Sequence, residues 1–521
     1  MKSKHGRCRG NVSFSSFVPG VSPSCDIHPQ NADYFLFQLS AMKRATLKGD
    51  ACNEDRLSKL PNDLFLNILE RLDMLDAIRT CILSKQMLKL PTMLSHLLLS
   101  AHSIQCRHDK ARVFSRSDVL RTNTTVAYVT DKILSSRTPE IAISKLTVRF
   151  VLMQDDSLNI GKSVARAMAT QKVGTAEFEI TPEKAHKDCF MVDLLHFGKQ
   201  LNDFVGACPD AFTGLTCLWL HNLRFGEPDI PKVLSTCKLL ASLRLTHCDS
   251  GIHSLLHVEH AQLVELEVDY GKFERVELTC LPKLQRVSYT GWYSNEDPLY
   301  FGFVPQLSKL SLTKTGLRVQ KALELSHLLA NVPSISDLHL DLRSEKNARN
   351  CSCMCSAKVQ HVNLDNLPEG CDLAWTMFIL EAAPALKELC ITVWDHWCIM
   401  IIDKQIRKKY GFWEKADVKW KPYALDFRHK NLAKLTIYGF QPDDSFVRYI
   451  RCIVNHAVNL AVISLHDRKV CERCGDISEN VVSRRCGDNV CPSGYPRTAE
   501  ERRLTIESLG LASHAVICFQ S

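Results

Sequence analysis

The chain has 521 residues, a mass of 58.9 kDa and a formal net charge of +8 at pH 7. That length is too great for one compact core, so it predicts either several domains or an elongated repeat array. The charge is too weak to predict nucleic-acid binding by itself, and without 18 consecutive apolar residues a transmembrane helix is not expected. Twenty-three cysteines without a recognisable secretory signal indicate a reducing compartment, and we expect cytoplasm or nucleus.

The N-terminal segment is rich in small and polar residues. Pro19, Pro23 and Pro29 interrupt any helix there. This composition predicts a disordered leader over residues 1–52.

Residues 56–90 predict three short helices. Pro61 supplies a preset φ for the first helical position. Apolar residues at helical spacing then form one broad stripe, namely Leu64, Phe65, Ile68, Leu69 and Leu72. Asp73 can cap the next helix, whose apolar residues are Leu75, Ile78 and Ile82. A segment this short lies below the roughly 40 residues at which a domain usually folds alone, so it must dock on the rest of the chain or on a partner.

This segment resembles an F-box. The matching residues are Leu60-Pro61, Asp63-Leu64, Ile68-Leu69, Leu72, Asp76-Ala77-Ile78-Arg79 and Leu83-Ser84-Lys85. The resemblance implies a three-helix F-box over residues 53–100 that binds a Skp-type adaptor and, through it, a cullin–RING ubiquitin ligase. The implied adaptor-binding residues are Leu60, Pro61, Leu64, Ile68, Leu72, Ile78, Leu83 and Met87. Met87 stands where the family usually has Trp, and it lacks the area of an indole. An ordinary helical hairpin within a larger core is the alternative interpretation.

A second feature is an internal repeat of the form L-x-x-L-x-L. Its copies begin at Ile143, Leu215, Leu240, Leu263, Leu284, Leu307, Ile335, Val359, Leu386, Leu432 and Leu460. Alternating apolar residues predict a short strand in each copy, and stacking the strands into a parallel ladder buries the leucines. Segments such as 229–240 and 320–333 predict helices or loops that return the chain between strands.

The repeat array resembles the degenerate leucine-rich repeats of plant F-box proteins. It implies an α/β fold in which an irregular solenoid with a parallel β ladder, residues 101–424, follows the F-box. Core-facing leucines are expected at Leu218, Leu243, Leu266, Leu310 and Leu338. The interleaved residues Trp219, Arg244, Glu265, Lys309 and His339 are expected to face outward and to bind a target protein.

The end of the array predicts a strand, a turn, an amphipathic helix and a strand over residues 431–467. Pro442, Asp443 and Asp444 supply the turn and the helix start. The apolar face of the helix consists of Phe446, Tyr449, Ile450, Ile453 and Val454. This unit, assigned to residues 425–470, resembles the C-terminal module of plant F-box/FBD-type proteins.

Two further segments carry weaker signals. Residues near 398–430 form a basic and aromatic insertion between repeats, for which a solvated loop is favoured over a nucleic-acid site. The Cys-containing tail, residues 471–521, holds four thiols that could enclose zinc, although free thiols are favoured: Cys471, Cys474, Cys486 and Cys491. His257 and His260 lack the spacing of a zinc-protease helix and are placed in a return between repeats.

No phosphate-binding loop, dinucleotide fingerprint or serine elbow occurs in the sequence, so neither a catalytic residue nor a cofactor is predicted. The resemblance implies a non-catalytic, substrate-recruiting subunit of a Skp–cullin–F-box ubiquitin ligase. It would bind the adaptor through the F-box and a target protein through the repeats, without a membrane, and nucleic acid is not a favoured partner. The alternative is a leucine-rich-repeat scaffold that does not enter a ligase, which the Met87 departure leaves open.

Overall fold

The structure is a computed structural model of the chain. It describes residues 61–72, 74–81, 90–101, 116–251, 254–292, 297–314, 329–341, 358–367, 373–393, 426–467, 494–510 and 514–520. Several predictions fall outside these residues: the leader, Leu60, Asp73, Ile82, Leu83, Met87, almost all of the basic insertion, and the four tail cysteines. Among the helices within the described ranges, none is long and apolar enough to cross a membrane.

Ten α-helices are found in the described residues. They are α1 Asn62–Leu69, α2 Met74–Cys81, α3 Arg116–Ser136, α4 Gln154–Thr170, α5 Met191–Ala207, α6 Pro209–Thr213, α7 Asp229–Thr236, α8 Phe378–Ala382, α9 Asp444–His456 and α10 Ala499–Leu509. Three 3-10 turns, Leu90–Met93, His186–Asp188 and Leu373–Met377, accompany them. The helix α7 confirms the return predicted over residues 229–240.

Seventeen strands lie between and after these helices. They are β1 His96–Ser100, β2 Ile143–Val151, β3 Val173–Thr181, β4 Cys217–His221, β5 Ser242–Thr246, β6 Leu255–Glu259, β7 Glu265–Asp269, β8 Arg275–Cys280, β9 Arg286–Trp292, β10 Leu299–Phe303, β11 Lys309–Lys314, β12 Asp337–Asp341, β13 His361–Leu367, β14 Glu388–Val393, β15 Lys434–Tyr438, β16 Val462–His466 and β17 Val516–Gln520.

Fourteen of the strands form one parallel sheet. Its order is β1-β2-β3-β4-β5-β7-β9-β11-β12-β13-β14-β15-β16-β17, and β6, β8 and β10 form a second parallel sheet. All eleven repeat copies identified in the sequence are strands of the larger sheet, which confirms the parallel ladder. His257 lies in β6, whose residues alternate between exposed and buried, so the return in which this histidine was placed contains a strand.

The larger sheet is held together by apolar side chains stacked in register. Leu218, Leu243 and Leu266 are adjacent on β4, β5 and β7, and each is at most 2% exposed. Leu310 and Leu338 continue the same row on β11 and β12. The predicted core-facing leucines are therefore confirmed, and no single strand could bury them without its neighbours.

A left-handed turn follows several strands. Asn222, His247 and Tyr270 have φ of 53°, 53° and 50° at the ends of β4, β5 and β7. Each donates its backbone N–H to a carbonyl oxygen of the neighbouring strand, that of Thr246, Asp269 or Thr290, at 2.7 to 3.0 Å. This turn redirects the chain while one more hydrogen bond joins consecutive repeats.

The two described helices of the F-box segment pack beside the start of the larger sheet, since α1 contacts the turn Leu90–Met93 and α2 contacts both that turn and β1. Phe65 and Leu69 of α1 are 1% and 0% exposed, and Met74, Ala77 and Cys81 of α2 are buried as well. The Glu70 carboxylate accepts hydrogen bonds from the Ser95 hydroxyl at 2.5 Å and the Ser95 N–H at 3.2 Å. These bonds, led by the hydroxyl, lower the pKa of Glu70 despite its partial burial. The segment therefore docks on its own chain.

Two details of this segment differ from the sequence prediction. Pro61 precedes α1 as its N-cap residue, with φ of −57° and ψ of 145°, rather than occupying the first helical position. Its carbonyl oxygen still accepts the Phe65 N–H at 3.1 Å, so Pro61 provides the first acceptor of the helix. Residues 96–100, placed at the end of the F-box, form β1 and pair with β2.

The predicted strand, turn, helix and strand near the C-terminus are present as β15, α9 and β16. Asp443 caps α9, since its carboxylate accepts the N–H groups of Ser445 at 2.9 Å and Phe446 at 3.0 Å. The Tyr449 hydroxyl lies 2.6 Å from that of Thr376, and both are buried. This bond fixes α9 to the turn that precedes α8.

The sheet continues past the predicted module through α10 and β17. Arg451 on α9 donates to the carbonyl oxygens of Leu509, at 2.9 Å, and Ser508. The Tyr495 hydroxyl donates to the carbonyl oxygens of Leu465 and Gln520, each at 3.0 Å. These contacts attach β17 to the larger sheet. From the sequence, the cysteines were the feature identified in this part of the chain.

Two buried histidines join neighbouring repeats in the same way. His260 Nε2 lies 2.9 Å from the Cys237 carbonyl oxygen, and His429 Nε2 lies 3.1 Å from that of Ala383. The Nδ1 atom of each ring accepts a backbone N–H, from Gln262 or from Leu432. Since the second nitrogen is an acceptor, both rings are neutral, and burial lowers the pKa of each.

Truncating a core leucine tests the sheet register. Leu266→Ala should reduce the free energy of unfolding by about 2–5 kcal/mol, because it removes buried surface and leaves a cavity. The matched change Lys309→Ala, at a side chain that is 57% exposed, should stay within about 0.5 kcal/mol. Urea denaturation of both variants provides the comparison, and equal losses would show that the register is wrong.

Acidification should destabilise the fold through the two buried histidines. The unfolded chain takes up protons near the ordinary histidine pKa of about 6.5, whereas the folded rings resist protonation. The unfolded state therefore binds more protons below pH 6.5, and the free energy of unfolding should fall between pH 7 and pH 5. His429→Gln should show a smaller fall, and the exposed-site control His196→Gln should match the wild type in urea titrations at both pH values. An unchanged fall in His429→Gln would contradict this origin.

Candidate functional site

The apolar residues of α1 are divided between two faces. Phe65 and Leu69 are buried in the core, whereas Leu64, Ile68 and Leu72 are 55%, 43% and 37% exposed. These three are spaced four residues apart along and just beyond α1, and we call them the exposed α1 stripe. One helix thus docks on its own chain and presents a second apolar line outward.

The remaining implied adaptor-binding residues are distributed differently. Pro61 is exposed at the start of α1, beside the stripe in sequence. Ile78 is half-buried and packs against the core of the chain itself. Leu60, Leu83 and Met87 lie outside the described residues. The structure therefore brings three of the implied contacts, Leu64, Ile68 and Leu72, onto one line.

The larger sheet presents its polar side chains on one face, which we call the outward face. Alternate residues of each strand form rows there, and the register aligns Trp219 with Arg244 on the neighbouring strand. His339 continues their row on β12, while Glu265 and Lys309 lie in the adjacent row. All five predicted target-binding residues share this face, although their role stays a prediction.

Trp219 and Arg244 contact each other across β4 and β5 on the outward face. The guanidinium carbon of Arg244 lies 5.6 Å from the centre of the Trp219 ring. The indole N–H donates to the Thr246 hydroxyl at 2.9 Å, which fixes the ring against β5. This pair is an ordered cation–π contact.

A groove of about 350 Å³ lies farther along the outward face. Side chains from β7, β9, β11, β12, β13 and β14 line it, among them Glu265, Lys309 and His339. Trp219 and Arg244 are not among its lining residues. Sequence reasoning missed Arg286 and Asp337, although both occupy the same alternating position in their repeats as Glu265 and Lys309.

Ion pairs connect neighbouring strands within the groove. Arg286 Nε lies 3.2 Å from a Glu265 carboxylate oxygen, and Lys309 Nζ lies 3.9 Å from Asp337. His361 Nδ1 is 3.4 Å from the same Asp337 carboxylate. Burial raises the pKa of Glu267, and Arg244 only partly offsets this effect. The groove therefore holds its charges in a partly dehydrated setting.

Ser311, His339 and Asp365 form a line across three adjacent strands. The Ser311 hydroxyl is 3.3 Å from His339 Nδ1, and His339 Nε2 is 2.8 Å from the Asp365 carboxylate. The same residue types act as nucleophile, base and orienting acid in hydrolases. Here the backbone N–H groups of these paired strands donate within the sheet, so the strands offer no backbone oxyanion site in the groove. The line is better suited to recognition than to acyl transfer.

Within the residues that the structure describes, no group of three or more His, Cys, Asp or Glu side chains could hold a metal ion. The four tail cysteines weighed as zinc ligands lie outside the same ranges. The candidate functional surfaces are thus the exposed α1 stripe and the groove of the outward face.

Comparison with known proteins yields two family matches. Residues 57–97 match the F-box domain, and residues 206–490 match the leucine-rich-repeat domain described as At1g61320/AtMIF1. The chain is 27% identical over 275 residues to the F-box/FBD/LRR-repeat protein At1g13570 of Arabidopsis thaliana. That alignment covers 49% of this chain and 61% of the relative, so the chain spans about three fifths of the relative's length.

A solved structure was also found by comparison of folds. It is a protein from Bacteroides fragilis with 12% sequence identity, and the match covers 72% of this chain and 83% of that one. The TM-score is 0.22, a value too low to support a common fold.

Proposed function

The chain belongs to the plant F-box/leucine-rich-repeat proteins, and from this membership we propose that it recruits substrates to a Skp–cullin–F-box ubiquitin ligase. The F-box would bind a Skp-type adaptor, and the outward face of the repeats would bind a target protein. Ubiquitin transfer would take place on other subunits, so this chain would act without a catalytic residue. Its contribution would be to raise the effective concentration of the target beside the ligase, in the cytoplasm or nucleus.

The observation that carries this proposal is the exposed α1 stripe. A monomeric protein gains little by leaving two leucines and an isoleucine partly in water on one line of a helix. Fully burying an exposed Leu or Ile contributes about 1.5–3 kcal/mol, and because these three are about half-exposed, each would contribute roughly 0.6–1.5 kcal/mol to an interface. The buried face of α1 meanwhile keeps the helix folded without the adaptor.

Charged substitutions in the stripe should abolish adaptor binding. Leu64→Asp with Ile68→Asp would place two carboxylates in an apolar interface, which costs several kcal/mol and weakens binding at least about a hundredfold. Pull-down of a plant Skp-type adaptor by the full chain measures this effect. The fold should be retained, because both side chains are exposed in the free protein.

Leu120→Asp with Leu504→Asp provides the matched control. These leucines are 42% and 51% exposed on α3 and α10, outside the F-box segment. The control should bind the adaptor as the wild type does. Equal pull-down by the wild type and the α1 double variant would refute the adaptor role and favour a scaffold outside the ligase.

Restoring the family's tryptophan should strengthen adaptor binding or leave it unchanged. Met87→Trp adds a rigid aromatic surface at the position where the F-box resemblance places an adaptor contact. Titration of the adaptor by calorimetry should show an affinity at least equal to that of the wild type. Met191→Trp, at a side chain that is 58% exposed on α5, controls for a general effect of surface tryptophan. A marked loss in Met87→Trp alone would show that the third F-box helix is misaligned.

A further inference from the structure

The outward face carries an excess of carboxylates between β7 and β14. At the outward positions described on these strands, seven carboxylates stand against two cations, Arg286 and Lys309. Flanking Arg244 and Lys434 raise the cations to four, which still leaves carboxylates in surplus. The whole chain has a net charge of +8, so this surplus does not follow from its average composition.

The carboxylates are concentrated at the two ends of the groove. One end is formed by β7, where Glu265 and Glu267 line the groove and Asp269 lies beyond its lining. The other is formed by β12 to β14, where Asp337 and Glu388 line the groove and Asp341 and Asp365 lie beyond its lining. Arg286 and Lys309 lie between them, together with the hydroxyl groups of Ser288 and Ser311. The groove is therefore acidic at both ends and neutral to basic at its centre.

Burial destabilises part of this negative charge. Burial raises the pKa of Glu267 and of Asp269, since each carboxylate has lost water without gaining enough positive charge in return. A cation that bound beside these two carboxylates would offset the destabilisation of their charged form. The β7 end of the groove thus favours an incoming positive group.

The dimensions fit an extended peptide. Six strands line the groove, and five steps of about 4.8 Å between neighbouring strands span about 24 Å. An extended chain advances about 3.3 Å per residue, so about seven residues cover that length. Because the strands' backbone groups pair within the sheet, side chains determine what binds.

We propose that the groove binds an extended segment of about seven residues that bears lysine or arginine at both ends and uncharged polar residues between. Basic end residues would meet the two carboxylate clusters, whereas a basic centre would be repelled by Arg286 and Lys309. This inference rests on the proposed function, because it treats the bound segment as part of the target protein. Positive charge thus becomes the property that selects the target.

Fluorescence anisotropy with the full chain tests the charge preference. The probes are labelled synthetic peptides of sequence KRSGSKR and EDSGSED, which have equal length and opposite charge. KRSGSKR should bind at least about tenfold more tightly than EDSGSED. Its affinity should fall as the salt concentration rises from about 50 to about 300 mM, a range that includes the physiological ionic strength. Equal binding of the two peptides, or tighter binding of EDSGSED, would overturn the proposal.

A matched pair of variants locates the binding. Glu267→Gln with Glu388→Gln removes one carboxylate from each end of the groove, and KRSGSKR should bind about three- to thirtyfold more weakly. Glu140→Gln with Glu227→Gln makes the same change of charge at exposed positions off the sheet and should bind as the wild type does. An equal loss in both double variants would mean general charge attraction and would overturn the groove as the site.

The same variants separate this inference from the ligase role. Glu267→Gln with Glu388→Gln should pull down the Skp-type adaptor as the wild type does, because α1 is unaltered. Loss of peptide discrimination with adaptor binding intact would refute the groove proposal alone. Peptide discrimination without adaptor binding would refute the ligase role and leave the groove as a basic-peptide site.

Discussion

The burial of leucine side chains between parallel strands is the constraint on which the rest of this structure depends. A five-residue strand such as β5 or β7 can bury one face only when a neighbour lies on each side in the same register. Once Leu243 and Leu266 are aligned, the polar residues that alternate with these leucines along each strand must align too, on the opposite face of the sheet. The rows of charge that form the groove are therefore a geometric result of the core.

How far the sequence predicts this fold depends on how strictly each strand follows the repeat. The eleven L-x-x-L-x-L copies predicted eleven strands and the face on which each side chain lies. Side chains alternate between the two faces of a strand, so burying the leucines on one face places the interleaved residues on the other. The strand β3 escaped prediction because Ala176 stands at the central leucine position, and β17 because the polar His514 stands at the leading one. The second sheet was missed because β6 lies inside a segment that the repeat spacing assigns to a return.

The sequence predicted on which face of the sheet the candidate site residues lie, but not which of them contact one another. Glu265, Lys309 and His339 could be placed on the outward face from their position within each copy. The pairing of Lys309 with Asp337 and of His339 with Asp365 joins residues 28 and 26 positions apart, which single copies do not reveal. For α1, helical spacing identified one apolar stripe, and only packing divided Phe65 and Leu69 from Leu64 and Ile68.

The docking of the F-box segment on β1 has a consequence for distance. Since Glu70 is bonded to Ser95 and β1 pairs with β2, the exposed α1 stripe belongs to the first strand of the ladder. Five strand steps separate β1 from β7 and ten separate it from β14, or about 24 and 48 Å along the sheet. Inserting or deleting one repeat between β1 and β7 would move the groove by about 4.8 Å. The number of repeats thus sets the distance between the exposed α1 stripe and the groove.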